Sequence, residues 1–294
     1  MILAGEPRPI TSVTTEAPAA KEKDVTSEEQ APVGIDPSVP SVARIYDYWL
    51  GGKDNFASDR AAADKLLEFV PDAREMCREN RAFLTRAVSI LAGEGVDQFV
   101  DIGSGLPTQD NTHQVAQRVN PDARVVYVDN DPIVLVHGRA LLEENTNTRV
   151  VNGDLRKPGA LLADPEVTEL IDFSRPVAVL LLSILHFVHD DDEATAIMTE
   201  IRSKLAPGSY MVLAHGFPGE MSGDKLESVQ AVYAKTAPGG VTGRSRAQIA
   251  SYFEGMEIID PGIVPSEAWR PDVPWDVPVD FTKHSVLGVV ARVR

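Results

Sequence analysis

The chain of 294 residues has a single cysteine, Cys77, which excludes an internal disulfide and any zinc site built on several cysteines. Cys77 falls in a segment of helical pattern over residues 73–91 and reads as a structural thiol. No apolar run approaches the roughly 18–20 residues that cross a bilayer. Hydrophobic residues make up 43% of the chain, enough for the core of a soluble protein. No Lys/Arg cluster interrupts a net charge of −16, so a nucleic-acid polyanion would be repelled, and a small molecule or a protein is the expected substrate. There are no internal repeats. The start lacks a basic stretch leading into an apolar one and is too poor in Arg for a transit peptide, so the expected location is cytoplasmic.

Residues 1–36, rich in Pro, Ala, Thr, Glu and Lys without apolar periodicity, are expected to form a disordered tail. Residues 37–93 carry a helical pattern, with Ala62, Leu66, Leu67 and Phe69 in one stretch and Phe83, Leu84, Val88, Ile90 and Leu91 in another. Between tail and helices, residues 44–56 mix Tyr46, Tyr48, Trp49 and Phe56 with charges, Asn55 and the pair Gly51-Gly52. This block is either a helix ended by Gly51 with its aromatics buried, or a lid whose polar groups face a ligand.

From residue 94 onward strands and helices alternate. Strands are expected at residues 98–103, 124–129, 149–151, 177–183, 209–214, 256–260 and 285–292, with helices at 111–119, 132–144, 191–205 and 247–254 among them. Seven strands in this rhythm make an α/β fold with a mainly parallel sheet covered on both faces. Ser245 and Gln248 stand at capping-box spacing. A further helix over about 219–234 is inserted, a natural place for substrate contacts.

Phe99-Val100-Asp101-Ile102-Gly103-Ser104-Gly105 joins a buried strand to a turn whose glycines let the backbone approach a ligand. Val125-Val126-Tyr127-Val128-Asp129 then ends a second strand in an acid able to accept hydrogen bonds from a ribose diol. A dinucleotide fingerprint would place a third glycine where Thr108 stands, after Pro107, so the loop suits a cofactor without a pyrophosphate. Asp129 could otherwise serve as a solvated strand end or helix cap. Asn152-Gly153-Asp154-Leu155 follows the third strand, where Asp154 could accept from an adenine amino group and Leu155 touch the ring; the alternative is an ordinary Asn-Gly turn.

Asp101-Ile102-Gly103-Ser104-Gly105, Val128-Asp129 and Gly153-Asp154-Leu155 together resemble the successive cofactor motifs of class I S-adenosylmethionine-dependent methyltransferases. Residues 43–56, the loop Gly105-Leu106-Pro107-Thr108, Pro261-Gly262-Ile263-Val264 and Trp269-Arg270-Pro271 resemble, more closely, the actinobacterial S-adenosyl methyltransferase family first grouped as a domain of unknown function. The resemblance implies a Rossmann-like seven-stranded sheet with its last strand antiparallel and an N-terminal helical lid over residues 37–93. It implies S-adenosylmethionine as cofactor, with Asp101, Gly103, Ser104 and Gly105 around the methionine part, Asp129 and Asn130 at the ribose, and Asp154 and Leu155 at the adenine. Ser183 adds to the cofactor side. Tyr46, Tyr48, Asn55, Phe56 and His215 are the expected lid and substrate residues, and the methyl acceptor is an unidentified small molecule.

In-line methyl transfer needs alignment and, for some acceptors, removal of a proton. Ser183 and His186 directly follow the fourth strand, which makes His186 the candidate base. It could instead pack in the core with its ring satisfied, and His189 could cap the helix opening at Asp190, Asp191 and Asp192. A metal site from His186, His189 and Asp190 lacks a recognisable ligand motif, so no metal is expected. Trp269, Trp275 and Phe281 either wall a substrate pocket or tie down an irregular loop. Thr108, Asn111 and His113 either face solvent or reach the cofactor. Two other readings remain at this level: an NAD-dependent oxidoreductase, disfavoured by Thr108, and a cofactor-binding sensor or partner protein without turnover.

Overall fold

Strands that are apolar on both faces must be covered on both, and here they are. Phe99, Leu180 and Val212 pack on one side against Phe83 and Leu84, while Val100, Ile102, Val126 and Val179 pack on the other against Ile197 and Ile201. The structure, a computed structural model, describes residues 35–108, 110–142, 145–236, 239–272 and 278–294. The tail expected over residues 1–36 lies, but for its last two residues, outside the described residues, as does Trp275.

Three helices come first: α1 (Val42–Trp49), α2 (Ala57–Leu67) and α3 (Ala73–Gly93). The alternating part follows as β1 (Gln98–Ile102), α4 (Thr112–Val119), β2 (Arg124–Asp129), α5 (Pro132–Leu141), β3 (Thr148–Asn152), α6 (Pro158–Leu162), α7 (Pro165–Thr168), β4 (Ala178–Leu182), α8 (Asp191–Ser203) and β5 (Tyr210–Phe217). The chain closes with α9 (Gly223–Tyr233), α10 (Arg246–Ser251), β6 (Glu257–Ile258), β7 (Val264–Pro265) and β8 (Ser285–Arg292). Helix starts follow their caps: Asp131 accepts from the Ile133 amide, Ser245 from that of Gln248, and Asp190 from that of Glu193. The cap of α8 is thus Asp190 rather than His189, which sits 3.4 Å from the Thr242 hydroxyl.

The described residues form an eight-stranded sheet in the order β3-β2-β1-β4-β5-β8-β6, with β7 also pairing with β8. Neighbours among β1 to β5 pair in parallel, and β8 runs antiparallel to β5. The strand count corrects the expected seven: residues 256–260 give only the two-residue β6, and β7 follows as a second short strand on β8. Two-residue strands leave no alternation to read, and the proline in β7 argues against a strand. Between β1 and β4 the order reverses, so a crevice opens beyond their carboxyl ends.

Helix α3 lies on the sheet through Phe83, Leu84, Ala87 and Val88. Helices α1, α2 and α9 share another cluster with the start of α3, built on Ile45, Trp49, Leu66, Cys77 and Val229. The Arg44 guanidinium bonds the Asp59 carboxylate at 2.7 Å with both side chains buried, and Asp59 also accepts from the amides of Ser41 and Phe56. Asp47 accepts from Asn55 Nδ2 and the Asp54 amide and lies against Gly52, where a Cβ would strike its carboxylate. Those contacts turn the chain between α1 and α2.

Candidate active site

The turn after β1 is set by Gly103 at φ 72° and Gly105 at φ 66°, left-handed values that favour glycine. A Cβ on Gly103 would run into the Ile184 side chain, whereas one on Gly105 would meet nothing within 4 Å. The amides of Gly103 and Ser104 both donate to the Val128 carbonyl, at 2.8 and 3.2 Å, which holds the turn against the end of β2.

There Asp129 accepts from the Gly105 amide at 2.9 Å and, through its other oxygen, from the Asp131 amide at 2.9 Å. Burial pushes its carboxyl up to about 6, against the pull of those amides. Asp101 is also raised by burial, opposed by the Thr112 hydroxyl at 2.7 Å. Burial raises Asp154 too, but Arg156 outweighs it: the Arg156 amide and Nε both donate to one Asp154 oxygen at 3.0 Å, and the net shift is downward. Ser183 has φ 57° and donates its amide to the Ala214 carbonyl at 2.9 Å, a left-handed conformation unusual for a serine.

These residues surround one cavity of about 780 Å3. Asp101, Gly103, Ser104, Gly105, Asp129 and Asn130 line it, as do Asp154, Leu155, Ser183, His186 and Tyr46. Four expected lid or substrate residues do not. Tyr48 turns outward to Asp64 at 3.3 Å and lies under Arg74, and Asn55 is spent on Asp47 and the Gly52 carbonyl. Phe56 packs under Arg44 and beside Leu106 and Ile133. His215 is buried behind the wall, its ring 5.5 Å from that of His186. Trp269 packs edge-on against Phe83 and Phe281 under Arg246, both away from the cavity. Thr108 lines the cavity, Asn111 belongs to the capping box of α4, and His113 is buried against the Tyr127 hydroxyl.

His186 is not free to act as a base at Nδ1, because the Gly216 amide donates to that atom at 3.2 Å. The neutral ring therefore carries its proton on Nε2. The Gly216 carbonyl in turn accepts from His215 Nδ1 at 2.8 Å, leaving His215 Nε2 to accept from Arg244 at 3.2 Å. Burial, with His215 and Arg244 adding to it, holds His186 well below the usual histidine range, and burial brings His215 to about 4. Arg244 is fully buried and also donates to the Val188 carbonyl at 2.8 Å and to Asp191 at 2.9 Å, which fixes the turn carrying His186.

Three more residues on the wall were not singled out by sequence motifs. Arg81 lies close enough to Tyr46 and Asp101 to favour their ionised forms, and donates to the Asp110 carbonyl at 3.0 Å. Asn80 is a polar residue at a buried position of the α3 stripe that also holds Ala73, Cys77 and Leu84. Ser285 begins β8. The stripe itself was the signal for Asn80: an amide in an apolar helical row needs a partner.

The site fits a sulfonium nucleoside. The Ser104 hydroxyl is buried without a partner, Gly105 leaves open space beside it, and Asp129 ends its strand at the crevice with Asp154 on the next loop. The acids Asp101, Asp129, Asp131 and Asp154 on one wall complement a cation. Among the described residues no cluster of His, Cys, Asp and Glu could hold a metal ion, and no helix is long and apolar enough to cross a membrane.

Fold and pocket together define a Rossmann-like nucleoside-cofactor enzyme. The chain belongs to the S-adenosyl methyltransferase family, whose sequence profile matches residues 28–294, and S-adenosylmethionine is its cofactor. It is similar to a methyltransferase candidate from Thermobifida fusca, 43% identical with a TM-score of 0.80, over 90% of this chain and 98% of that one. It is also similar to a DUF574 family protein from Streptomyces avermitilis, 38% identical with a TM-score of 0.81, over 88% of this chain and 99% of that one. No curated protein matches it.

Proposed function

We propose that the chain transfers the cofactor's methyl group to a small molecule held in the same cavity, between the turn after β1 and the helices α1, α3 and α9. The observation that carries this reading is one continuous cavity of about 780 Å3, walled by Ser104, Asp129 and Asp154 in one part and by Trp49, Met76 and Val229 in another. That volume lies within the range of about 300–1,000 Å3 typical of small-molecule sites.

Bound there, the cofactor supplies a methyl carbon already activated by a positive sulfur. The protein's part is placement. Asp129 and Asn130 bind the ribose hydroxyls, Asp154 and Leu155 the adenine, and Asp101, Gly103, Ser104 and Gly105 shape the room for the methionine part. Arg81 is the cation for its carboxylate. Ser183 keeps β4 close to the cofactor side, and Tyr46 closes the wall from α1. His186 presents an Nε2–H donor to the cavity and removes no proton, so the acceptor is either nucleophilic in its neutral form or gives its proton to water.

Incubating the protein with methyl-labelled S-adenosylmethionine and a small-molecule extract of its own organism, then following label into products by mass spectrometry, tests the reading. A labelled small molecule is expected. Saturable S-adenosylmethionine binding with no labelled product would turn the protein into a sensor, and tight NAD binding without S-adenosylmethionine affinity would make it an oxidoreductase.

A further inference from the structure

Where α1, α2, α3, α9 and the chain just after α2 wall the cavity, the surface is apolar: Trp49, Leu66, Val70, Met76, Val229 and Tyr233. Within it lie buried polar atoms with no partner. Asn80, 3% exposed, donates its Nδ2 to the Tyr46 hydroxyl at 3.0 Å. Tyr46 donates its own proton to the Cys77 carbonyl at 3.0 Å, so its oxygen can only accept from Asn80. This fixes the amide orientation and leaves Asn80 Oδ1 as an unpaired acceptor. The Trp49 indole N–H, an unpaired donor, and the Ser285 hydroxyl lie on the same cavity in the same condition.

With Arg81 assigned to the cofactor carboxylate, the other charged groups of this wall are already engaged. Asp47 is held by Asn55 and the Asp54 amide, Arg44 by Asp59, and His284 by Asp72 at 2.7 Å. Burial keeps the Cys77 thiol protonated. A charged ligand would find no compensation there, whereas an apolar one gains burial, and one with a hydrogen-bond donor relieves Asn80.

We infer that the methyl acceptor is an uncharged, predominantly apolar small molecule bearing a hydroxyl or N–H donor, seated between α1, α3 and α9 with that donor on Asn80 Oδ1. The inference rests on the methyltransferase reading for the word acceptor, but the chamber and its orphaned amide stand independently of it. A site built to pair a donor rejects the analogue that lacks it, because the buried acceptor is then left unpaired.

Calorimetric titration of the full chain, with S-adenosylhomocysteine present, tests this using 2-naphthol, 2-methoxynaphthalene, which lacks the donor, and 2-naphthoate, which is charged. Naphthol is expected to bind roughly ten-fold more tightly than either of the others. Asn80→Ala should erase its advantage over methoxynaphthalene while S-adenosylhomocysteine binding persists. Equal or tighter naphthoate binding, absence of naphthol binding, or an unchanged preference in Asn80→Ala would overturn the inference. If Asn80→Ala loses S-adenosylhomocysteine binding, and with it the fold, Met221→Glu on the same cavity decides. Loss of naphthol binding with S-adenosylhomocysteine binding retained supports the chamber, and unchanged naphthol binding sinks it. Asn80-dependent naphthol binding by a protein that binds no S-adenosylhomocysteine would leave the chamber standing and remove the methyltransferase reading instead.

Discussion

His186 and His215 are joined through the backbone of one residue, Gly216, whose amide donates to Nδ1 of the first at 3.2 Å and whose carbonyl accepts from Nδ1 of the second at 2.8 Å. Opposite tautomers follow, with the proton on Nε2 in His186 and on Nδ1 in His215. Nitrogen-15 NMR of the imidazoles between pH 5.5 and 8 should show these tautomers and no protonation of His186, whose ordinary value of 6.5 burial lowers. A His186 titration near 6.5 would contradict it. Since both values are depressed in the folded state, their contribution to stability is complete above 6.5 and is lost as the pH falls toward about 4 for His215.

Asp129 has the opposite sign. Its folded value of about 6 lies above the ordinary carboxyl value of 3.8, so its contribution to the stability of the free protein is present at low pH and lost as the pH rises through 6. A ribose diol donates to the ionised form and offsets that loss. S-adenosylhomocysteine affinity, measured by titration calorimetry, should therefore weaken below pH 6, approaching about ten-fold per pH unit, and Asp129→Asn should flatten the dependence. An affinity equal at pH 5 and 7.5 would rule out Asp129 as the ribose ligand.

Gly103 and Gly105 share a positive φ but differ in surroundings. Gly103→Ala should cost on the order of 3 kcal/mol in urea unfolding, combining left-handed strain with the collision against Ile184. Gly105→Ala should cost about 1–2 kcal/mol, from strain alone. Its main effect should be on cofactor affinity, because its methyl enters space open to the cavity.

Arg44→Met strands the fully buried Asp59 and should destabilise the protein by about 3–5 kcal/mol. Adding Asp59→Leu should recover only part of that loss, because the amides of Ser41 and Phe56 also lose their acceptor. Full recovery in urea unfolding would mean that those two amides find other partners.

Much of the sheet could be read from apolar runs such as Phe99 to Ile102 and Val125 to Val128, since burial on both faces leaves little else for a strand to be. The Ser245–Gln248 box was equally local. What escaped depends on distant partners. β7 exists because Val264 meets Gly288, and Arg244 is buried because three carbonyls and His215 converge on it. The aromatic block showed its composition but not its direction: Tyr46 and Trp49 face the cavity, whereas Tyr48 and Phe56 are turned away by the helix period and by the chain reversal around Asp47.

The Ser41 hydroxyl bonds Asp131 at 2.7 Å, and the Asp131 amide bonds Asp129. The first turn of α1 and the carboxylate at the end of β2 thus hang on one aspartate. Reciprocity applies to such a shared residue: whatever factor a bound nucleoside adds to the docking of the first turn of α1, that docking must return to the affinity for the nucleoside. A Ser41→Ala protein offers a direct handle on that exchange while leaving Asp129 and Asn130 themselves unchanged.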